Sequence, residues 1–351
     1  MVNLQALVRA NIKNLQPYSS ARDEFHGQAA IFLDANENSL GSTLSQPLNR
    51  YPDPRQSALK EQISRIKNIR TERIFLGNGS DEAIDLLIRA FCETGRDRIL
   101  IMPPTYGMYR VCAEINNVAV EEVPLQPDFQ IDVQQVLQRV DPSTRLVFIC
   151  SPNNPSGNLL SRRDIQTILD QTRGLVVVDE AYIDFCAQDS LMPLLKDYPH
   201  LVILQTLSKA WGLAALRLGM AFADPFIIEI LNKIKPPYNI NGMTQQLALE
   251  ALDQSTRQQD MVVRLIAQRR RLEEELKDIP MVETIYPSAA NFLLVRFNQS
   301  EKVFRQLKKA GIIVRDRSKA LHCHNCLRIT VGTETENQKL IETLKNMQRD
   351  L

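Results

Sequence analysis

Short apolar runs of strand length alternate with amphipathic stretches of helix length along much of the chain. Arg98–Met102, Leu146–Cys150, Leu175–Val178 and Leu201–Leu204 are near-continuous runs rich in Val and Ile. Runs without a polar face predict strands buried on both sides of a sheet. Between them, Ser161–Thr172 carries its apolar residues at helical spacing, with Ser161 placed to cap the helix N-terminus. Strands and helices in this order build βαβ units and a parallel sheet. A further strand is expected at Leu33. The C-terminal third changes character. One helical stretch runs from about Met243 to Lys277, followed by strand candidates Phe292–Val295 and Leu327–Val331 and a last helix over Glu334–Met347. That pattern predicts a smaller α+β domain after the Pro236-Pro237 break. Neither internal repeats nor low-complexity tracts interrupt it.

Composition narrows the class. The chain has 351 residues, and 42 basic against 41 acidic residues leave a formal net charge of +1. With 44% hydrophobic and 24% charged residues it matches soluble globular proteins and is long enough for about two domains. A balanced charge argues against a nucleic-acid binder and against a charge-driven disordered chain. Met1–Ala10 lacks a basic segment followed by an apolar core, and every apolar run falls far short of the ~20 residues of a membrane helix. A cytoplasmic protein with no membrane partner is expected. Its six cysteines, Cys92, Cys112, Cys150, Cys186, Cys323 and Cys326, are then reduced thiols rather than a disulfide framework.

Four segments could carry chemistry, each where a strand should end. Arg73–Phe91 places a short strand, the turn Gly77-Asn78-Gly79-Ser80 and an amphipathic helix, so free N–H groups and the helix dipole offer an anion site. The same segment reads equally as a helix capped by Ser80. Glu82 occupies the third glycine position of a dinucleotide fingerprint, which argues against a nicotinamide site. Ser151–Gly157 puts Asn153 and Asn154 in a polar turn after Leu146–Cys150, a place for ligand contacts or simply a turn. Asp179 ends Leu175–Val178, with Tyr182 three residues on; it could meet a ligand cation or cap the next segment. Last, Thr206-Leu207-Ser208-Lys209 is followed by Arg217. Desolvation of such a lysine would lower its pKa and favour imine chemistry.

In this order the segments resemble the pyridoxal-phosphate-dependent aminotransferases of fold type I. Leu15–Arg22, Leu33–Asn38, Asn49–Pro52, Pro104–Tyr109 and Cys326–Thr333 extend the resemblance over nearly the whole chain and point to the histidinol-phosphate branch of the class II family. The resemblance implies a large domain, 31–237, with a mostly parallel seven-stranded sheet between helices. It also implies an N-terminal arm, 1–30, and a smaller α+β domain, 238–351. Pyridoxal 5'-phosphate would be held by Lys209 as a Schiff base, and Lys209 would then shuttle the proton. Asp179 would pair with the ring nitrogen, Asn154 and Tyr182 would bond the phenolic oxygen, and Tyr106 would stack on the ring. Ser80, Asp81, Thr206, Ser208 and Arg217 would complete the cofactor site, Tyr51 reaching it from the second subunit of a homodimer. Tyr18, Asn36, Arg315 and Arg328 would bind substrate, the two guanidiniums suiting a phosphate or carboxylate. The implied reaction is amino transfer between L-histidinol phosphate and 2-oxoglutarate.

Ser39 stands where the family commonly has proline, Ala215 where it often has glycine, and His322-Cys323-His324-Asn325-Cys326 lies between the two arginines. That last run is half a zinc pattern without a second half, so core packing is expected and no metal. Two alternatives keep the cofactor, namely aromatic amino-acid amino transfer and decarboxylation of phosphorylated amino acids. A third, a sensor domain within a transcription regulator, would need a DNA-binding module for which the residues before Leu33 leave no room.

Overall fold

The computed structural model describes residues 2–18, 20 and 31–349. Of the expected 1–30 arm, Met1, Ser19 and residues 21–30 lie outside the described residues. Seven strands form the main sheet: β1 (Ile74–Asn78), β2 (Arg98–Ile101), β3 (Ala119–Glu122), β4 (Thr144–Cys150), β5 (Leu175–Asp179), β6 (Leu201–Thr206) and β7 (Leu218–Phe222). Their spatial order is β1-β7-β6-β5-β4-β2-β3. The pairs from β6 across to β3 are parallel; β7 runs antiparallel to both β1 and β6. β4, β5, β6 and β7 bury every residue or nearly so, as continuous Val, Ile and Leu runs require when helices cover both faces. One core lies on each face of the sheet, with Val176, Val178 and Ile203 on one side and Val177, Val202 and Leu204 on the other.

Helix Arg162–Gln171 starts as the sequence predicts, the Ser161 side chain accepting the Asp164 N–H at 3.3 Å. Three expectations need correction. No strand forms at Leu33, which is 84% exposed; its apolar neighbours Ile31 and Leu40 are exposed as well, so among the described residues no sheet buries this run. The stretch after Met243 is two helices, Gly242–Leu252 and Ser255–Lys277, interrupted at Asp253-Gln254. Ser80 is not the cap of its helix, which begins one residue earlier at Gly79. Glu82 serves that end instead, its carboxylate accepting the Asn78 N–H at 2.5 Å and the Asn239 amide at 3.1 Å. The third glycine position of the fingerprint is thus occupied by a helix-end acceptor.

Four antiparallel strands make the second sheet, in the order β10-β11-β9-β8: β8 (Val282–Ile285), β9 (Phe292–Phe297), β10 (Arg315–Asp316) and β11 (Cys326–Thr330). Helices Ser255–Lys277, Ser300–Lys309 and Glu334–Arg349 bring Leu272, Leu276, Leu307, Leu340 and Leu344 onto it. Other residues beyond the Pro236-Pro237 break join the first core: Ile240, Ala248, Leu252, Leu294, Cys323 and Cys326.

Among the described glycines, the tightest backbone approach lies between β7 and the helix Gly79–Phe91. A Cβ at Gly219 would lie 2.1 Å from the Ser80 nitrogen and 2.2 Å from the Gly79 carbonyl carbon, so only glycine lets the helix N-terminus sit here. Gly219→Ala is expected to lower unfolding stability by roughly 1–3 kcal/mol. Chemical denaturation measures this, and an unchanged midpoint would contradict the stated approach.

Candidate active site

Parallel strands deliver their C-terminal ends to one edge of the sheet, and β4, β5 and β6 end there at Cys150, Asp179 and Thr206. A cavity of about 330 Å³ opens at that edge. Its walls bring together Ser80, Asp81, Tyr106, Asn154, Asp179, Tyr182, Thr206, Ser208, Lys209, Arg217, Arg315 and Arg328, which come from both sheets and their loops. Three other residues singled out from the sequence lie outside it. Tyr18 lines a separate cavity beside Pro54 and Pro225. Asn36 is exposed with a left-handed φ of 54°. Tyr51 is half exposed, its ring stacked on Tyr238 at 4.5 Å.

Asp179 is the most constrained of these groups. It is 3% exposed. One carboxylate oxygen accepts the Tyr109 hydroxyl at 2.7 Å and the other the Ala181 N–H at 3.0 Å. Burial pushes its pKa up, while the Tyr109 and Ala181 bonds act the other way. Tyr109 itself stacks on Phe148 at 4.7 Å and meets Tyr106 edge-on at 5.6 Å. The sequence reading passed over Tyr109. Its position three residues after Tyr106, at the start of an amphipathic helix, is the signal that could have found it.

Around this carboxylate stands positive charge. Lys209 lies 5.7 Å from the Tyr182 ring centroid. Its side chain is open to the cavity, yet its pKa is lowered, first by desolvation and then by the Arg328 and Arg217 charges. Arg217 holds a left-handed φ of 53°, a costly conformation for a residue with a side chain. Its carbonyl accepts the Gly79 N–H at 2.5 Å and its guanidinium pairs with Asp81 at 3.4 Å. Gly79 has a φ of 71°, and a Cβ there would stand 2.6 Å from the Arg217 guanidinium. Tyr106 donates to Asp81 at 3.0 Å. Thr206 and Ser208 hydroxyls bond each other at 3.0 Å. This corner therefore joins a helix N-terminus, two hydroxyls and a guanidinium, a donor set for a phosphoryl group.

A second cationic group comes from the smaller sheet. Arg315 on β10 is registered opposite Arg328 on β11. Arg328 is half-buried, donates to the Asn154 side-chain oxygen and lies 5.3 Å over the Phe292 ring. Burial lowers its pKa, and Arg315 lowers it further. Tyr182, 8% exposed, has its pKa pushed up to about 12, chiefly by desolvation. Arg317 also lines the cavity and was not singled out from the sequence; its two-residue spacing from Arg315 along an extended strand was the available signal. Between the arginines, Cys323 and Cys326 pack into the core and the His322 ring nitrogen lies 3.0 Å from the Leu125 carbonyl.

A lysine, a buried strand-end carboxylate and two separate cationic groups around one cavity are the side chains that a pyridoxal-phosphate-dependent transferase needs. The model of the aminotransferase class I and II family matches residues 26–344, and the chain belongs to this family. The histidinol-phosphate aminotransferase of Cytophaga hutchinsonii is 54% identical over 343 residues, spanning 98% of this chain and 99% of that one. That of Parabacteroides distasonis is 52% identical over 347 residues, 99% of each chain. Among solved structures, the histidinol-phosphate aminotransferase from Clostridium acetobutylicum superposes with a TM-score of 0.80 at 26% identity, covering 87% of this chain and 92% of that one. The Sinorhizobium meliloti enzyme, solved with pyridoxal-5'-phosphate, shares the fold at 22% identity, with a TM-score of 0.77 and 89% and 90% coverage.

The electrostatics yield a signed prediction. Removing the Arg328 charge favours the Lys209 ammonium, so Arg328→Gln raises the Lys209 pKa. In cofactor-free protein, the pH dependence of Lys209 acylation, followed by peptide mass mapping, should move to higher pH. A curve that stays in place or moves lower would contradict the coupling.

Proposed function

We propose that this chain transfers an amino group reversibly between L-histidinol phosphate and 2-oxoglutarate, giving imidazole acetol phosphate and L-glutamate. The observation carrying the reading is that Lys209 and Asp179 line one cavity together with two cationic groups, Arg217 with the Gly79–Asp81 helix end, and Arg315 with Arg328. The relatives at 54% and 52% identity, matched end to end, support the same substrate.

Pyridoxal phosphate fits this cavity on its chemistry. Among the described residues the buried Asp179 carboxylate is bonded by the neutral Tyr109 hydroxyl and Ala181 N–H alone, so it calls for a cationic partner, which a protonated ring nitrogen would provide. When bound, the cofactor supplies an electron sink for the electrons released as the substrate's α C–H bond breaks. The protein's own groups do the rest. Asp179 would pair with the protonated ring nitrogen, and the Tyr109 hydroxyl, by donating to the carboxylate, opposes the rise in pKa that burial imposes. Ser80, Thr206, Ser208 and Arg217 would donate to the cofactor phosphate, with Asp81 offering its backbone N–H at the helix end while its carboxylate holds Arg217. Tyr106 would pack against the ring, while Asn154 and Tyr182 would donate to its phenolic oxygen.

Lys209 anchors the cofactor and afterwards takes the proton from the α-carbon. Its lowered pKa suits it to be a free amine at that moment. Arg315 and Arg328 hold the substrate's phosphate, or in the returning half-reaction a carboxylate of glutamate; Tyr18 and Asn36 would line the substrate side as well, although in the single chain both lie outside this cavity. Because Tyr182 titrates only near 12, it stays a donor throughout the physiological range.

The reading includes a homodimer with shared sites. Of the sixteen exposed large apolar side chains among the described residues, eight lie between Leu15 and Tyr51. So dense a run needs a cover. A second copy supplies one, and it lets Tyr51 of one chain reach the cofactor phosphate of the other. The reading further divides the chain into an arm, a cofactor domain to residue 237 and a smaller domain from 238, working in the cytoplasm on histidine biosynthesis.

Incubation with histidinol phosphate and 2-oxoglutarate should yield glutamate, with phenylalanine a much poorer donor. Absence of glutamate from histidinol phosphate would overturn the assignment. Lys209→Ala should lose the visible absorbance of the bound cofactor and at least about 10²–10⁴ of kcat. Persistence of that absorbance would mean a different lysine holds the cofactor.

A further inference from the structure

The smaller sheet presents three guanidiniums to the cavity, one more than the substrate pair requires. Arg315 and Arg317 stand two residues apart on one extended segment, so their side chains leave the same face. Arg328 lies opposite Arg315 in the ladder, and the Arg317 N–H donates to the Cys326 carbonyl at 2.9 Å, which carries the ladder one step further. All three line the cavity. Among the described residues, none of the three has a carboxylate within ion-pairing distance. Arg317 is the least satisfied: its Nε is buried without a hydrogen-bond partner. Its pKa is lowered by desolvation and then by Arg328 and Arg315. Holding three such cations together without counter-charge is unfavourable until an anion arrives.

We infer that Arg317 is a specificity-determining residue, the third arm of a cradle that selects a dianionic phosphate monoester over a carboxylate. A carboxylate has one charge and two acceptor oxygens, which a single guanidinium satisfies through two parallel bonds. A carboxylate of glutamate is thus met by Arg315 and Arg328 without a third guanidinium. A phosphate monoester carries about −1.5 to −2 charges at neutral pH and three acceptor oxygens, so it alone gives a third guanidinium something to bind. Arg317 therefore contributes to the phosphorylated substrate and little to glutamate. The inference rests on the substrate class proposed above.

The test compares Arg317→Gln and Arg317→Lys holoenzymes with the unaltered protein in each half-reaction. Arg317→Gln should lower kcat/KM for histidinol phosphate by about tenfold to a hundredfold, mostly through KM. The glutamate half-reaction should change less than about threefold, and Arg317→Lys should fall between. In the unaltered protein kcat/KM for histidinol phosphate should rise as the second phosphate proton leaves near pH ~6. Arg317→Gln should flatten that rise. Inorganic phosphate, used as a competitor of glutamate, should bind about tenfold more weakly to Arg317→Gln. If the unaltered protein does not use histidinol phosphate, the proposed function fails, while phosphate competition still decides the role of Arg317. Equal losses with both substrates, or unchanged phosphate competition, would overturn the inference.

Discussion

A buried carboxylate ringed by surplus positive charge is the constraint on which the rest of this structure depends. Asp179 sits at the end of β5, desolvated and held by one hydroxyl and one N–H. Lys209, Arg217, Arg315, Arg317 and Arg328 surround the cavity above it, and Asp81 is the other carboxylate on its wall. Burial alone would drive Asp179 toward its neutral acid and Lys209 toward its neutral amine. The site is thus poised between charge states that a ligand carrying one cationic nitrogen and two anionic groups would settle.

The fold exists to maintain that imbalance. Parallel strands buried on both faces aim three consecutive chain ends at one edge, so Cys150, Asp179 and Thr206 arrive side by side without any loop having to find them. β7 returns antiparallel and carries Gly219, whose missing side chain lets the Gly79 helix end reach the cavity. Arg217 accepts a left-handed backbone at that crossing, and its carbonyl ties it to Gly79. The smaller sheet then closes the opposite wall through Arg328, which bonds Asn154 on the loop after β4. Each wall is held by a contact between distant parts of the chain.

How much of this was legible depended on whether the signal was local. The buried strands announced themselves as runs of Val and Ile, and Asp179 and Lys209 stood out because each follows such a run. Ser161 was readable as a cap because its partner is three residues away. The strand expected at Leu33 was misread: its apolar residues have no sheet to join and are exposed in the single chain. Ser80 looked like a cap, but Glu82 reaches back across the turn and the distant Asn239 completes that end, a contact no local reading contains. β3, with Ala119 and two glutamates, is an edge strand too polar to register. Tyr109 and Arg317 were missed for a different reason. Each lies at regular spacing from a residue already noticed, and only the third dimension reveals that the neighbour shares its target.

On the proposed function, the arginines of the smaller sheet recognise a phosphoryl group on the amino donor. The most direct measurement is the ratio of kcat/KM for L-histidinol phosphate to that for the same amino alcohol without its phosphate, with 2-oxoglutarate as acceptor. Loss of several charge-assisted hydrogen bonds predicts a ratio of at least about a hundredfold in favour of the phosphorylated donor. A ratio near one would contradict the account.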